Sequence, residues 1–223
     1  QAAPYELCDD EVGGSTPTDQ LSTFDLTSRV GEITGGNLNY QVMWFETLAD
    51  EASDTPIVTP GAYQNRTIAP ATQPTPQTII ARVTNQFGCK RLTTLTLVVL
   101  ANPSSATPTP LEVCDDNNDG FANFTLTDKD LEIANGETDV TVLYYQTQAE
   151  AEAGVSGTEL LSPYTNDDPF TDVVWARVTR IVTPPSTSPA CYSVVALDLI
   201  VNLLPDAPVS GFGDLISCDT TGG

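Results

Sequence analysis

The chain has 223 residues, 40% of them hydrophobic and only 17% charged, with 30 acidic residues against 8 basic and a formal charge of −22. That balance excludes nucleic acid as a partner, since nothing neutralises phosphates; it argues equally against an anionic membrane surface and fits a secreted protein kept soluble in salt or with divalent cations. The absence of histidine excludes Ser-His-Asp and Cys-His hydrolases and removes the commonest metal ligand.

In chain order, Gln1-Ala-Ala-Pro4 carries no leader and reads as an internal cut, so the sequence is expected to be part of something longer. Cys8-Asp-Asp10 follows, then Phe24-Asp-Leu-Thr27. Val42-Met-Trp-Phe-Glu-Thr47 is the first clear strand. Ala49-Asp-Glu-Ala52 hints at a helical turn. Tyr63-Gln-Asn65, the strand Ile80-Ala-Arg-Val-Thr84, Cys89 and the strand Leu95-Thr-Leu-Val-Val-Leu100 complete a first unit. Asn102-Pro-Ser-Ser-Ala-Thr-Pro-Thr-Pro110 is a proline-stiffened joint.

The same blocks then return. Cys114-Asp-Asp116, Phe124-Thr-Leu-Thr127, Val142-Leu-Tyr-Tyr-Gln-Thr147, Ala149 to Ala153, Tyr164-Thr-Asn166, Trp175-Ala-Arg-Val-Thr179, Cys191 and Leu197-Asp-Leu-Ile-Val201 keep the order of the first unit. Cys218-Asp219 opens a third copy after Pro205-Asp-Ala-Pro208. The spacings, 106 residues from 8 to 114 and 104 from 114 to 218, define a tandem repeat. The expected division is repeat 1 over 1–102, a linker at 103–110, repeat 2 over 111–204, and linker plus truncated third repeat over 205–223. Semi-rigid beads on a string are predicted, not two lobes closing on a cleft.

Within each repeat, six or seven short segments rich in β-branched and aromatic residues, bounded by Pro, Asn, Asp and Gly, predict an all-β fold of tandem antiparallel immunoglobulin-like β-sandwiches. Trp44 and Tyr144 are the expected core aromatics on a central strand. Arg82 and Arg177 recur within one strand and are expected to be exposed or paired with an acid across the sheet.

Five cysteines without zinc-type spacing suggest disulfides and an oxidising compartment. Two pairings are open. Within repeats, Cys8 joins Cys89 and Cys114 joins Cys191, leaving Cys218 unpaired; between repeats, Cys89 joins Cys114 and Cys191 joins Cys218. The within-repeat scheme is preferred, because the start of the first strand of a sandwich lies near the loop before the last one.

Asp115-Asp-Asn-Asn-Asp-Gly120 has the alternate oxygens and the glycine of a calcium loop. Asp115, Asn117, Asp119 and the carbonyl of Phe121 would be the ligands. Position 12 is Leu126 and not Glu, so a full EF-hand is not expected. In repeat 1 only Asp9 and Glu11 remain of the pattern. The plain alternative is an Asx-rich turn. Asn65 and Asn123 fit N-glycosylation sequons. No catalytic residues are assigned: a carboxylate-pair glycosidase would need a deep cleft, which two small sandwiches do not offer.

The ordered combination C-D-D-N-x-D-G, F-x-L-T, an aromatic strand ending in Thr, A-R-V-T, Cys and a closing L-x-L-x-V strand resembles the roughly 100-residue repeats of giant Bacteroidetes cell-surface adhesins. Among these are gliding-motility adhesins exported by type IX secretion. The resemblance implies a long extracellular fibre of tandem immunoglobulin-like domains at the cell surface; structural calcium, the expected cofactor, follows from the spacing of the Asp115 loop. The expected partners are neighbouring repeats of the same chain, and surface polysaccharide or another protein. Asp219-Thr220-Thr221 likewise resembles an O-glycosylation motif of those bacteria. The alternative is a carbohydrate- or protein-binding β-sandwich module.

Overall fold

The computed structural model describes residues 2–10, 16, 18–69, 71–183 and 187–205. Repeat 1 contains β1 (Tyr5–Cys8), β2 (Thr23–Phe24), α1 (Val30–Thr34), β3 (Gln41–Phe45), α2 (Leu48–Ala52), β4 (Tyr63–Gln64), β5 (Gln77–Thr84) and β6 (Lys90–Leu100). Repeat 2 repeats this order as β7 (Leu111–Cys114), β8 (Asn123–Phe124), α3 (Asp130–Ile133), β9 (Val140–Tyr145), α4 (Gln148–Ala153), β10 (Tyr164–Thr165), β11 (Thr171–Arg180) and β12 (Tyr192–Asn202). Each repeat is an immunoglobulin-like sandwich. One layer is a four-stranded sheet, β1-β6-β5-β3 or β7-β12-β11-β9; facing it is a two-stranded sheet, β2-β4 or β8-β10, with the short helices.

Period-2 patterning sets the inner face. Val174, Ala176 and Val178 of β11 and Leu197, Leu199 and Val201 of β12 point into one core, with Phe124, Leu126 and Ile133 packed against them from the opposite layer. Phe24, Leu26, Ile79, Leu95 and Leu97 build the matching core of repeat 1. Each fully buried Val, Leu, Ile or Phe among them contributes roughly 1.5–3 kcal/mol. Trp44 and Tyr144 are core residues as expected, but their strands β3 and β9 lie at the sheet edge, not its centre. The exposed edge is closed by a helix: Phe45 and Tyr145, on the other face, are buried as well, with α2 and α4 packed on β3–β5 and β9–β11.

The helices start and stop for local reasons. The Thr147 hydroxyl accepts from Glu150 N while the Glu150 carboxylate accepts from Thr147 N, a capping box, and Gly154 ends α4 at φ 59°. Thr47 caps α2 by accepting from Asp50 N, without the reciprocal bond. α1 and α3 are absent from the expected elements. Their signals were Asp25, whose side chain accepts from Thr27 N, and the left-handed Gly35 and Asn135-Gly136 that follow them.

One departure from antiparallel pairing matters most. β1 runs parallel to β6, with Cys8 opposite Leu100, and β7 runs parallel to β12, with Cys114 opposite Asn202. The first strand of each repeat therefore ends, and does not begin, beside the end of the last strand.

Candidate functional site: the inter-repeat junction

This parallel register decides the cysteine chemistry. Cys8 closes β1 at the pole where β6 runs out into the linker. Cys89 sits immediately before β6, at the opposite pole. An eleven-residue strand spans roughly 35 Å, whereas disulfide-bonded Cα atoms lie within about 7 Å of each other. The expected Cys8–Cys89 and Cys114–Cys191 bonds are therefore out of reach, and so is the alternative Cys89–Cys114. What comes together instead is Cys8 of repeat 1 and Cys191 of repeat 2, with Cα atoms 5.4 Å apart at a sequence separation of 183. Cys191 precedes β12 at the pole of repeat 2 that faces repeat 1, and it is fully buried there. Cys89 and Cys114 are free and exposed. Cys218 lies outside the described residues.

The disulfide is embedded in a hydrogen-bonded junction. Asn102 Nδ2 donates to Asp9 O (3.0 Å), the Ser193 hydroxyl to Pro103 O, and the Ser188 hydroxyl to Glu6. The linker does not hang free between beads. Ala106 N donates to Ile133 O (3.1 Å), Ser104 N to Glu137 Oε1 (3.0 Å), and Lys129 Nζ to Thr109 Oγ1 (2.7 Å), so α3 and its flanks hold it down. A solvent-open cleft of about 820 Å³, lined by Asp9, Asp10, Asn102, Gln148, Glu152 and Tyr192 among others, lies beside the disulfide. The one aromatic ring among its described lining residues, Tyr192, has the Arg177 guanidinium 3.4 Å from its centroid.

Both recurrent arginines are turned toward α2 and α4, which the sequence reading did not foresee. Arg82 is buried and meets Glu51 (3.0 Å) and Asp54 (2.5 Å) at the end of α2, not an acid across the sheet. Arg177 donates to the carbonyls of Ala151 (2.6 Å) and Glu152 (2.7 Å) and so caps the end of α4.

The acidic loop of repeat 2 sits at the far pole of that repeat. Asp115 is fully buried, and its carboxylate accepts from the N–H groups of Asn117 (3.1 Å), Asn118 (2.7 Å) and Gly120 (2.7 Å). Burial would push this carboxyl up; the backbone donors outweigh it and hold its pKa below the usual carboxylate value. Asn117 Oδ1 accepts from Asp119 N, and Asp119 Oδ1 from Phe121 N, so each candidate ligand side chain is turned on its own backbone. The loop is arranged as an Asx-rich turn. Among the described residues no group of three or more His, Cys, Asp or Glu side chains is placed to hold a metal ion. In repeat 1, Asp9 accepts from Gln20 N (2.8 Å) through Oδ2, while its buried Oδ1 has no partner. Burial, then the charges of Asp19 and Asp10, raise its pKa. Glu11 lies outside the described residues.

A second recurrent asparagine was visible only as a repeat block. Asn65 and Asn166 are buried; each accepts one backbone N–H, from Ser22 (2.7 Å) and Ala122 (2.8 Å), and donates to two carbonyls. They latch the loop after the early cysteine to the loop before β5 or β11. The sequon at Asn65 is thus spent on internal bonds.

Fold and junction together define a tandem immunoglobulin-like protein whose neighbouring repeats are covalently stapled to each other. The chain belongs to the Flavobacterium inter-domain disulphide bond domain family, which it matches twice, over residues 4–103 and 110–205. No curated protein matches it. Similar solved structures include Sidekick-1 immunoglobulin domains (10% identity over 91% of this chain and 49% of that one, TM-score 0.23). Human mucin-like protocadherin (14% identity, 91% and 97%, 0.24) and a three-immunoglobulin fragment of titin (11%, 84% and 60%, 0.25) are likewise similar. This chain thus spans about half of the Sidekick-1 structure; at these TM-scores the likenesses carry nothing beyond themselves.

Proposed function

We propose that the chain is a load-bearing segment of an extracellular surface fibre, of the kind found in Bacteroidetes adhesins, in which the Cys8–Cys191 bond carries tension past both repeats. The carrying observation is the position of that bond: it joins the first strand of repeat 1 to the start of the last strand of repeat 2. Tension entering at β1 crosses the disulfide into β12 and leaves without loading the residues between. That sequence separation of 183 corresponds to roughly 600 Å of extended chain, which the oxidised protein withholds. A disulfide of this kind also needs an oxidising compartment, which supports an extracellular site. No helix among the described residues is long and apolar enough to cross a membrane. Linker and disulfide give each joint two covalent connections, which opposes bending and twisting about a single tether. The work is mechanical, with neighbouring repeats as the primary partners, and it needs no catalytic group. Calcium at Asp115 is not required for it.

Single-molecule stretching between the chain termini tests this. Oxidised protein should show no unfolding step from residues 9–190, whereas reductant or Cys191→Ser should release them as two long steps. Equal contour length in both states would sink the reading.

A further inference from the structure

The two free thiols are not lone cysteines in structural terms. Cys114 occupies in repeat 2 the place that Cys8 occupies in repeat 1: each ends the first strand, each lies opposite the end of the last strand, and the next residue donates its N–H to that strand's carbonyl, Asp9 to Leu100 (2.9 Å) and Asp115 to Asn202 (2.8 Å). Cys89 likewise occupies the place of Cys191, immediately before β6 as Cys191 is before β12. In each equivalent pair one member is bonded across the junction and the other is exposed.

Burial at the two poles tells the same story. Ile133 and Cys191 are fully covered where repeat 2 meets repeat 1 and the linker. Their counterparts at the outer pole of repeat 1, Ile33 and Cys89, are partly or wholly open. Leu38 and Phe87 beside them are 97% and 79% exposed. The pole that a repeat of this type covers in repeat 2 stands uncovered in repeat 1.

We propose that Cys114 and Cys89 are the two halves of the same directional junction. The early cysteine of a repeat bonds the late cysteine of the repeat that follows, so Cys114 takes a late cysteine and Cys89 takes an early one, each from another repeat of this type. Early does not pair with early, nor late with late. This rests on the junction reading above. Each bond forms as two thiols give up two protons and two electrons to a disulfide oxidant such as oxidised glutathione, which leaves as two thiols.

Two variants of the chain test the rule, Cys89→Ser and Cys114→Ser, each also carrying Cys218→Ser so that no third free thiol competes. Each is treated at high concentration with oxidised glutathione, alone and in equal mixture. Each variant alone should remain monomeric. The mixture should give one covalent dimer and nothing longer, with a Cys114–Cys89 crosslink by non-reducing peptide mapping. Dimers in either variant alone would show symmetric pairing and overturn the proposal, as would a mixture that stays monomeric. The same maps report Cys8–Cys191: its absence would overturn the junction itself, whereas its presence beside a failed mixture would overturn only the rule for the free thiols.

Discussion

The two repeats solve identical structural problems with different residues. Around the tyrosine of β4 and β10, buried in the first repeat and half-buried in the second, acid and amide have exchanged places. The Tyr63 hydroxyl donates to Glu46 (3.2 Å) and accepts from Gln77, while the Tyr164 hydroxyl lies 2.8 Å from Asp172 and 2.9 Å from Gln146. Burial first, with the neighbouring acid helping, pushes both phenols up to about 12. At the exits of α2 and α4 a left-handed residue is needed; it is Asp54 (φ 55°) in one repeat and Gly154 (φ 59°) in the other. A Cβ at Gly154 would meet Arg177 Cζ at 2.9 Å, whereas Asp54 uses its side chain to bind Arg82. The geometry of each place is held in common; the residue filling it depends on its neighbours. A difference between repeats is thus no sign of lost structure unless the partners fail to compensate.

The early acidic loops are where compensation is weakest, and they supply the largest expected effect. Asp115 has its carboxylate met by backbone donors, while Asp9 leaves Oδ1 unpartnered. Asp115→Asn should lower the melting temperature of repeat 2 by several degrees, because an amide –NH2 would face N–H donors. Asp9→Asn should cost repeat 1 little at neutral pH. The signs with pH are opposite. A depressed carboxyl contributes stability above its unfolded value, near 3.8, that is lost as pH falls through the folded value; a raised one contributes below 3.8 and loses it as pH rises through the folded value. Hydrogen exchange resolved by repeat should therefore show repeat 2 weakening on acidification and the Asp9 loop tightening. Calcium and chelator should leave these curves superimposed. A calcium-dependent rise in repeat 2 alone would assign a metal role to Asp115, Asn117 and Asp119.

The tyrosine exchange gives a smaller effect with a sharper logic. Gln77→Asp places two carboxylates about one hydroxyl, which has a single proton to give. A loss of about 1–2 kcal/mol is expected, within the range of coupling between neighbours. Glu46→Gln added to it reproduces the arrangement of repeat 2, in which Asp167 N donates to Asp172 as Arg66 N does to Gln77. The double variant should recover most of the loss. Melting free energies that simply add would mean the two sites are not coupled, and the exchange between repeats would be drift.

Much of this architecture was legible because repetition supplies its own alignment. Fold class, strand blocks and a helical turn at 149–153 follow from residues at fixed offsets, and Tyr-x-Asn recurs at Asn65 and Asn166 as a block whose latching role only its bonds reveal. The disulfide partner was not legible. Spacing places cysteines at poles only once strand direction is known, and the parallel run of β1 beside β6 puts Cys8 at the exit pole, where a first strand beginning near the last loop would put it at the other. The arginines were misjudged for a related reason. A strand sequence shows two faces, but not that a five-residue helix covers the outer one and turns Arg82 into a buried group.

The smallest expected effect tests the equivalence of Asp54 and Gly154 most directly. Asp54→Gly removes one of two acids on Arg82, yet Glu51 remains at 3.0 Å and the Phe45 ring lies 4.7 Å beneath the guanidinium. The Asp54 side chain is 69% exposed, so its attraction to Arg82 is screened and modest. Against that loss, glycine relieves a left-handed backbone that an aspartate adopts at some cost. The two changes oppose each other, and the melting temperature should move by no more than a degree or two. Salt should decide the sign. At low ionic strength the ion pair counts for more and the variant should be the less stable; near 1 M salt, where the screening length is about 3 Å, the backbone gain remains and the variant should be the more stable. A fall of many degrees that ignores salt would mean that Asp54 is indispensable to a buried Arg82, and that Gly154 could replace it in repeat 2 only because the carbonyls of Ala151 and Glu152 had already taken over the arginine.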